Sequence, residues 1–304
     1  MAGWSWDEAL TGVIPPLISP LDVLGDADES AMEALVARVL EGGCSGLFVL
    51  GGCGEGAWLT PAQREAVIRN AVAAAGGRAP VLAGVLLPGT RAAEEAARQA
   101  AGAGADALVV GSPYYFTVDA GAQRRHAEAI LAAVPLPVLL YNIPQATHHV
   151  LAPETVAALA REPRVLGIKD SAGDFAAFQQ FLALRRREPA FRVLQGYEPL
   201  AAASLLQGAD GLVPGLANVA PRLFVALREA ARKADAPTCA RLQAEVQDLA
   251  RLHEHGHWLP ALKAACAALG IGTGVPAAPL TAPDEVQRRA IVRVLERHRL
   301  MGTH

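Results

Sequence analysis

The chain has 304 residues, 52% of them apolar, with 27 basic against 30 acidic side chains and a formal net charge of −3. That length allows one large domain or two modest ones and leaves room for a substantial core. Its charges are dispersed, no basic stripe interleaves with aromatics, and no run of about 20 apolar residues occurs, so neither a nucleic-acid partner nor a membrane-spanning helix is expected.

Residues 1–8, Met-Ala-Gly-Trp-Ser-Trp-Asp-Glu, lack the basic and apolar regions of a secretory signal. The four cysteines (Cys44, Cys53, Cys239, Cys266) fit neither a metal-site spacing nor a dense disulfide framework. Together these features predict free thiols in a reducing cytoplasm.

Short apolar runs then alternate with alanine-rich helical patterns. The runs at 12–18, 46–50, 80–85, 106–110, 136–141, 164–169, 191–195 and 209–214 are continuously apolar, as in a parallel sheet buried on both faces. Helical patterns lie near 29–42, 60–76, 90–103, 119–133, 153–161, 174–187, 197–207 and 221–234. Asp28 or Ser30, Thr60 before Pro61, Thr90 and Asp174 suit helix starts. Glycines close several of these helices, as at Gly42-Gly43, Gly102 and Gly208.

Eight such units predict an α/β fold, a (β/α)8 TIM barrel over residues 1–235. An open doubly wound sheet is the alternative, but no glycine-rich dinucleotide fingerprint follows the first strand, where Ser19-Pro20-Leu21-Asp22 stands instead. Past residue 236 strand signals stop. Residues 236–304 read as a C-terminal helical subdomain packed on the barrel and split by a Gly/Pro-rich segment at 270–279.

Only three lysines, Lys169, Lys233 and Lys263, stand among the 27 basic residues. Lys169 ends the apolar run Val165-Leu166-Gly167-Ile168, at the end of a barrel strand where active-site residues gather. Burial disfavours an ammonium, and a neutral amine attacks a ketone to give an imine, which a guanidinium cannot do. A lysine that snorkels or pairs with Asp170 is the competing explanation. Tyr141 ends the neighbouring strand and is either a proton relay for that imine or a core tyrosine at the rim. The loop Gly51-Gly52-Cys53-Gly54-Glu55-Gly56 can aim N–H groups at a carboxylate, or simply form a tight turn. Gly196 and Gly215-Leu216-Ala217-Asn218 follow later strands and could close the same pocket.

Other groups count for less. His253, His255 and His257 lie in the helical appendage, far in sequence from the barrel mouth, and read as surface histidines, not metal ligands. His148-His149 follow the fifth strand and are either substrate contacts or, the favoured reading, ordinary loop residues. Cys53 has no matched histidine base.

Taken together, Gly54-Glu55, Ser112-Pro113-Tyr114-Tyr115, Tyr141-Asn142-Ile143-Pro144, Gly167-Ile168-Lys169-Asp170, Gly208-Ala209-Asp210-Gly211 and Pro260-Ala261-Leu262-Lys263 resemble the dihydrodipicolinate synthase / N-acetylneuraminate lyase family over nearly the whole chain. The resemblance implies a class I aldolase in which Lys169 forms a Schiff base with pyruvate or a related 2-keto acid and an aldehyde is the second substrate. It implies no cofactor and no metal. Tyr141 would be the acid/base group. Tyr115 would reach into a neighbouring subunit's relay, which implies a homodimer or a tetramer built of dimers.

Two departures from the family pattern bear on substrate. Gly52-Cys53 stands where relatives carry a pair of hydroxyl residues, so Gly52 cannot link the two tyrosines, and a keto-acid-binding barrel with impaired turnover is one consequence to test. Ala146 stands where the synthase branch carries an arginine for the second substrate's carboxylate. Losing a bidentate contact of that kind costs roughly a hundredfold in affinity. The expectation is therefore an aldolase for an uncharged aldehyde, such as one acting on 2-keto-3-deoxy sugar acids, with 4-hydroxy-tetrahydrodipicolinate synthase as the alternative.

Overall fold

The structure, a computed structural model, describes residues 3–301. Seven strands, β1 (Leu47–Val49), β2 (Val81–Gly84), β3 (Ala107–Gly111), β4 (Val138–Asn142), β5 (Val165–Asp170), β6 (Arg192–Gln195) and β7 (Gly211–Leu212), lie side by side in chain order. Every adjacent pair is parallel. Parallel neighbours require crossovers, and the alanine-rich segments between strands supply them as helices.

The strand expected over residues 12–18 does not form a regular ladder. Single bridges join Val13 to Leu212 and Pro16 to Phe48. The Ile14 N–H donates to Leu212 O at 2.9 Å and the Leu17 N–H to Phe48 O at 2.7 Å. Pro15 and Pro16 have no N–H to give, so the ladder breaks there. The segment still touches β7 on one side and β1 on the other, and it closes the seven strands into a barrel.

Around the barrel run α1 (Trp6–Leu10), α2 (Glu29–Glu41), α3 (Pro61–Ala75), α4 (Thr90–Gly102), α5 (Ala120–Ala133), α6 (Pro144–Thr147), α7 (Pro153–Leu159), α8 (Phe175–Leu184), α9 (Ala201–Leu206) and α10 (Pro221–Arg232). Beyond them come α11 (Ala236–Leu249), α12 (Trp258–Ala268) and α13 (Glu285–Arg297). Asp28, Thr60 and Asp174 cap their helices as expected, the second through a capping box with Gln63. Thr90 does not cap: Gly89 holds that place, and the Thr90 hydroxyl pairs with His126 Nδ1 at 3.0 Å. The pattern at 197–207 divides into a 3-10 turn, Glu198–Leu200, and α9. No described helix is long and apolar enough to cross a membrane.

Side chains alternate across each strand, which sorts the apolar residues into two groups. Phe48, Leu82, Ala107, Val109, Leu139, Tyr141, Leu194 and Val213 pack together inside the barrel. The larger group, with Val49, Leu140, Ile168 and Val193, meets the helices. Tyr141 on β4 is the register partner of Lys169 on β5, so both share the inner face.

Candidate active site

Lys169 is buried at the C-terminal end of β5. Its Nζ sits 4.0 Å from the centroid of the Tyr141 ring and 4.9 Å from that of Phe48. Those two rings meet edge to face with centroids 6.1 Å apart. Among the described residues no carboxylate lies within ion-pair distance of Lys169. Asp170, offered above as its partner, points the other way across the sheet and accepts from Asn142 Nδ2 at 2.6 Å. Alternation along the strand is the reason, since adjacent side chains leave opposite faces. Burial pushes the Asp170 carboxyl up to about 6, against the pull of Asn142 and the Ala172 N–H.

The glycine loop follows β1. Gly52, Cys53 and Gly54 donate to no backbone carbonyl among the described residues, so their N–H groups remain available to an anion. A Cβ on Gly54 would stand 2.7 Å from Leu50 N and 3.0 Å from Leu17 O, so only glycine fits there. Gly52 is different, because a Cβ there meets nothing within 4 Å. Burial pushes the Cys53 thiol up to about 12, with Lys169 opposing, which keeps it protonated and poorly nucleophilic.

Glu55 in this loop has a left-handed backbone, φ 54°, uncommon for a residue other than glycine. Its carboxylate is fully buried, accepting from Lys263 Nζ of α12 at 2.5 Å and from the Ala277 N–H at 2.6 Å. The C-terminal helices thus grip the loop from behind. Spacing gives no hint of this pair, since its members are 208 residues apart.

A cavity of about 620 Å³ opens beside Tyr141 and is lined by Gly51, Gly52, Glu55, Trp58, Ser112, Tyr114, Ala146, His257 and Trp258, among others. No arginine or lysine lines it. Ser112 Oγ is buried without a hydrogen-bond partner, a donor and acceptor left for a ligand. His257 is exposed, as expected of a surface histidine, but it also caps α12 and lines this cavity, because the chain returns over the mouth at Trp258. His253 hydrogen-bonds Trp258 O through Nδ1 at 3.2 Å. His149 also has another task. Its Nε2 accepts from the Val118 N–H at 2.9 Å and its Nδ1 pairs with Thr147 O at 2.6 Å, tying two loops together.

Tyr115 does not approach Lys169 within the chain. It is 83% exposed, holds φ at 79° and packs edge to face on Phe116, itself 75% exposed. Ala146 is exposed on α6 at the cavity edge. Gly196 follows β6, where a Cβ would come within 2.7 Å of Lys169 Cε. Ser112, Glu55 and Lys263 fall within motifs of the family resemblance, but nothing in the sequence pairs Glu55 with Lys263 or points Ser112 at a ligand, and Glu198 carries no motif signal. Only their approach in space marks them.

A family profile described as the dihydrodipicolinate synthetase family matches residues 9–298. A 4-hydroxy-tetrahydrodipicolinate synthase of Xylella fastidiosa is 37% identical over 276 residues, covering 90% of each chain. A probable 2-dehydro-3-deoxy-D-pentonate aldolase of Escherichia coli, YjhH, is 35% identical over 245 residues, covering 80% of this chain and 81% of that one. Among solved structures, YagE of Escherichia coli in complex with pyruvate superposes with a TM-score of 0.90 at 30% identity, covering 95% of this chain and 98% of that one.

Proposed function

Since the chain belongs to the dihydrodipicolinate synthetase family and is a class I lyase of that family, we propose that Lys169 forms a Schiff base with pyruvate and that the resulting enamine exchanges with an uncharged aldehyde. The observation that carries this reading is the buried Lys169 amine, caged by Tyr141 and Phe48 beside a loop with free N–H groups. A keto acid whose carboxylate rests on Gly52, Cys53 and Gly54 presents its carbonyl carbon to that amine. Loss of water gives an iminium, which takes the electrons of a methyl C–H bond as that proton leaves through the Tyr141 hydroxyl, giving the enamine whose carbon then adds to the aldehyde. In the reverse direction the same iminium takes the electrons of the bond one carbon further out. Tyr141 supplies and takes the proton on the aldehyde oxygen.

An uncharged aldehyde is favoured because Ala146 and the rest of the lining offer no arginine or lysine to a second carboxylate. Ser112 Oγ instead offers a hydrogen bond to a hydroxyl, as a 2-keto-3-deoxy sugar acid would carry. Exposed Tyr115 and Phe116 suit a contact with a second copy, hence a dimer or a tetramer of dimers. Four buried free thiols fit a reducing compartment such as the cytoplasm.

Borohydride reduction in the presence of pyruvate tests the first step. The expected product is a reduced adduct on Lys169, lost in Lys169→Arg. Coupled assays with 2-keto-3-deoxygluconate and with aspartate semialdehyde test the second, and turnover of the semialdehyde alone would overturn the uncharged-aldehyde reading.

A further inference from the structure

The cavity beside Tyr141 has two unlike ends. Tyr141 and Ser112 are buried and lie at the strand tips, where Ser112 directly follows Gly111, the register partner of Tyr141. Ser112 Oγ has no hydrogen-bond partner, and the Tyr141 ring lies 4.0 Å from Lys169 Nζ, which ties this inner end to the amine. The outer wall is aromatic. Trp58, 49% exposed, comes from the glycine loop, and Trp258, 41% exposed, from the start of α12; both line the same cavity. Trp258 stacks on His257 with ring centroids 5.9 Å and planes 28° apart. Leu86 and Ile143 continue the wall.

The other polar side chains of the lining are committed within the protein. Tyr114 Oη donates to Leu86 O at 3.3 Å, and Gln145 Nε2 donates to the Ser171 and Ala172 carbonyls at 3.0 Å each. Thr147 Oγ1 donates to Ile143 O at 3.1 Å. His257 Nδ1 accepts from the Leu259 N–H at 3.3 Å, which leaves only Nε2. A polyhydroxylated tail placed here would give up its water for few partners, and an unpaired hydroxyl is costly to bury. A flat apolar tail loses no hydrogen bonds and gains stacking and burial against the two indoles.

We propose that the second substrate is an aryl aldehyde, bound with its carbonyl at Tyr141 and its ring against Trp58 and Trp258. This rests on the reading that Lys169 forms the imine and that the aldehyde is uncharged. The enamine carbon bonds to the aldehyde carbon, the C=O electron pair moves to oxygen, and that oxygen takes a proton from Tyr141. Water then hydrolyses the iminium, which frees Lys169 and a 4-aryl-4-hydroxy-2-keto acid. That product carries a single hydroxyl, the former aldehyde oxygen, and Ser112 Oγ is the free group beside Tyr141 that can bond it. Trp58 and Trp258 are specificity-determining residues in this scheme and take no part in the chemistry.

Pyruvate is supplied with benzaldehyde, glyceraldehyde or aspartate semialdehyde, and kcat/KM is measured for wild type, Trp58→Ser, Trp258→Ser and Trp258→Phe. Wild type should prefer benzaldehyde to glyceraldehyde by about tenfold or more. Each serine variant should lower that ratio by about tenfold, chiefly through KM for benzaldehyde, whereas Trp258→Phe keeps a flat ring and should hold it within about threefold. A wild type that prefers glyceraldehyde overturns the proposal. So does a ratio unmoved in both serine variants, or one lost as fully in Trp258→Phe as in Trp258→Ser. Turnover of aspartate semialdehyde alone overturns the uncharged-aldehyde reading instead, and no borohydride-reduced pyruvate adduct on wild-type Lys169 overturns the Schiff-base reading.

Discussion

The Lys169 amine lies 4.0 Å from the centre of the Tyr141 ring, and the two residues are register partners on neighbouring strands. The ring packs the amine, while the Tyr141 hydroxyl makes no hydrogen bond to a protein group among the described residues. Packing and proton transfer are therefore separable at this residue. Tyr141→Phe should keep the melting temperature and lower turnover by about 10²- to 10⁴-fold, the range for loss of a general acid or base. Tyr141→Ala should lower both, because the cage around Nζ is lost as well. Steady-state rates alongside thermal melts check the pair.

The buried Glu55–Lys263 pair stabilises the loop only while both partners are present. Lys263→Met leaves the Glu55 carboxylate fully buried without its counter-charge and should cost about 3–5 kcal/mol in urea unfolding. Adding Glu55→Gln removes the stranded charge and keeps an oxygen for the Ala277 N–H. The double variant should therefore recover part of that loss. A double variant no more stable than Lys263→Met would show that packing, not charge, dominates.

Gly52 sits in open space, with none of the left-handed φ that would exclude a side chain. Gly52→Ser should fold as well as wild type and place a hydroxyl beside the cavity that holds Tyr141. Turnover should rise on the order of tenfold if proton relay limits the rate. Unchanged turnover with an unchanged melting temperature would show that the glycine costs the enzyme nothing.

Ala146 borders the cavity from α6, where an arginine would reach into it. Ala146→Arg should raise kcat/KM for aspartate semialdehyde relative to an uncharged aldehyde by about a hundredfold, through a new bidentate contact. Equal effects on both aldehydes would place the second substrate elsewhere.

His126 gives acid sensitivity with a definite sign. It is buried against Thr90, and desolvation lowers its pKa from 6.5 to about 4. Between those values the unfolded chain binds a proton that the folded one refuses. Its contribution to stability is thus complete above about pH 6.5 and is lost as pH falls towards 4, by up to about 3 kcal/mol. Urea midpoints across this range should fall more steeply for wild type than for His126→Gln.

Much of this molecule was legible in its sequence. Continuous apolar runs ending in Tyr141 and Lys169 already located the barrel's inner rim, because strand periodicity is a local property that burial on both faces makes visible. The N-caps at Asp28, Thr60 and Asp174 were legible for the same reason, since each bonds within its own turn. The first stave was legible in place but not in form: Pro15 and Pro16 reduce it to two bridges.

By itself, the sequence determined which lysine ends a buried strand, which loop bares its N–H groups, and where Gly52 and Ala146 break the family pattern. Tertiary structure alone decided that Glu198 accepts from the Leu216 N–H, that Lys263 holds Glu55 from 208 residues away, and that His257 lines the cavity. Barrel closure brings together the ends of distant strands, and the loops that leave those ends follow paths set by packing, which no local periodicity encodes.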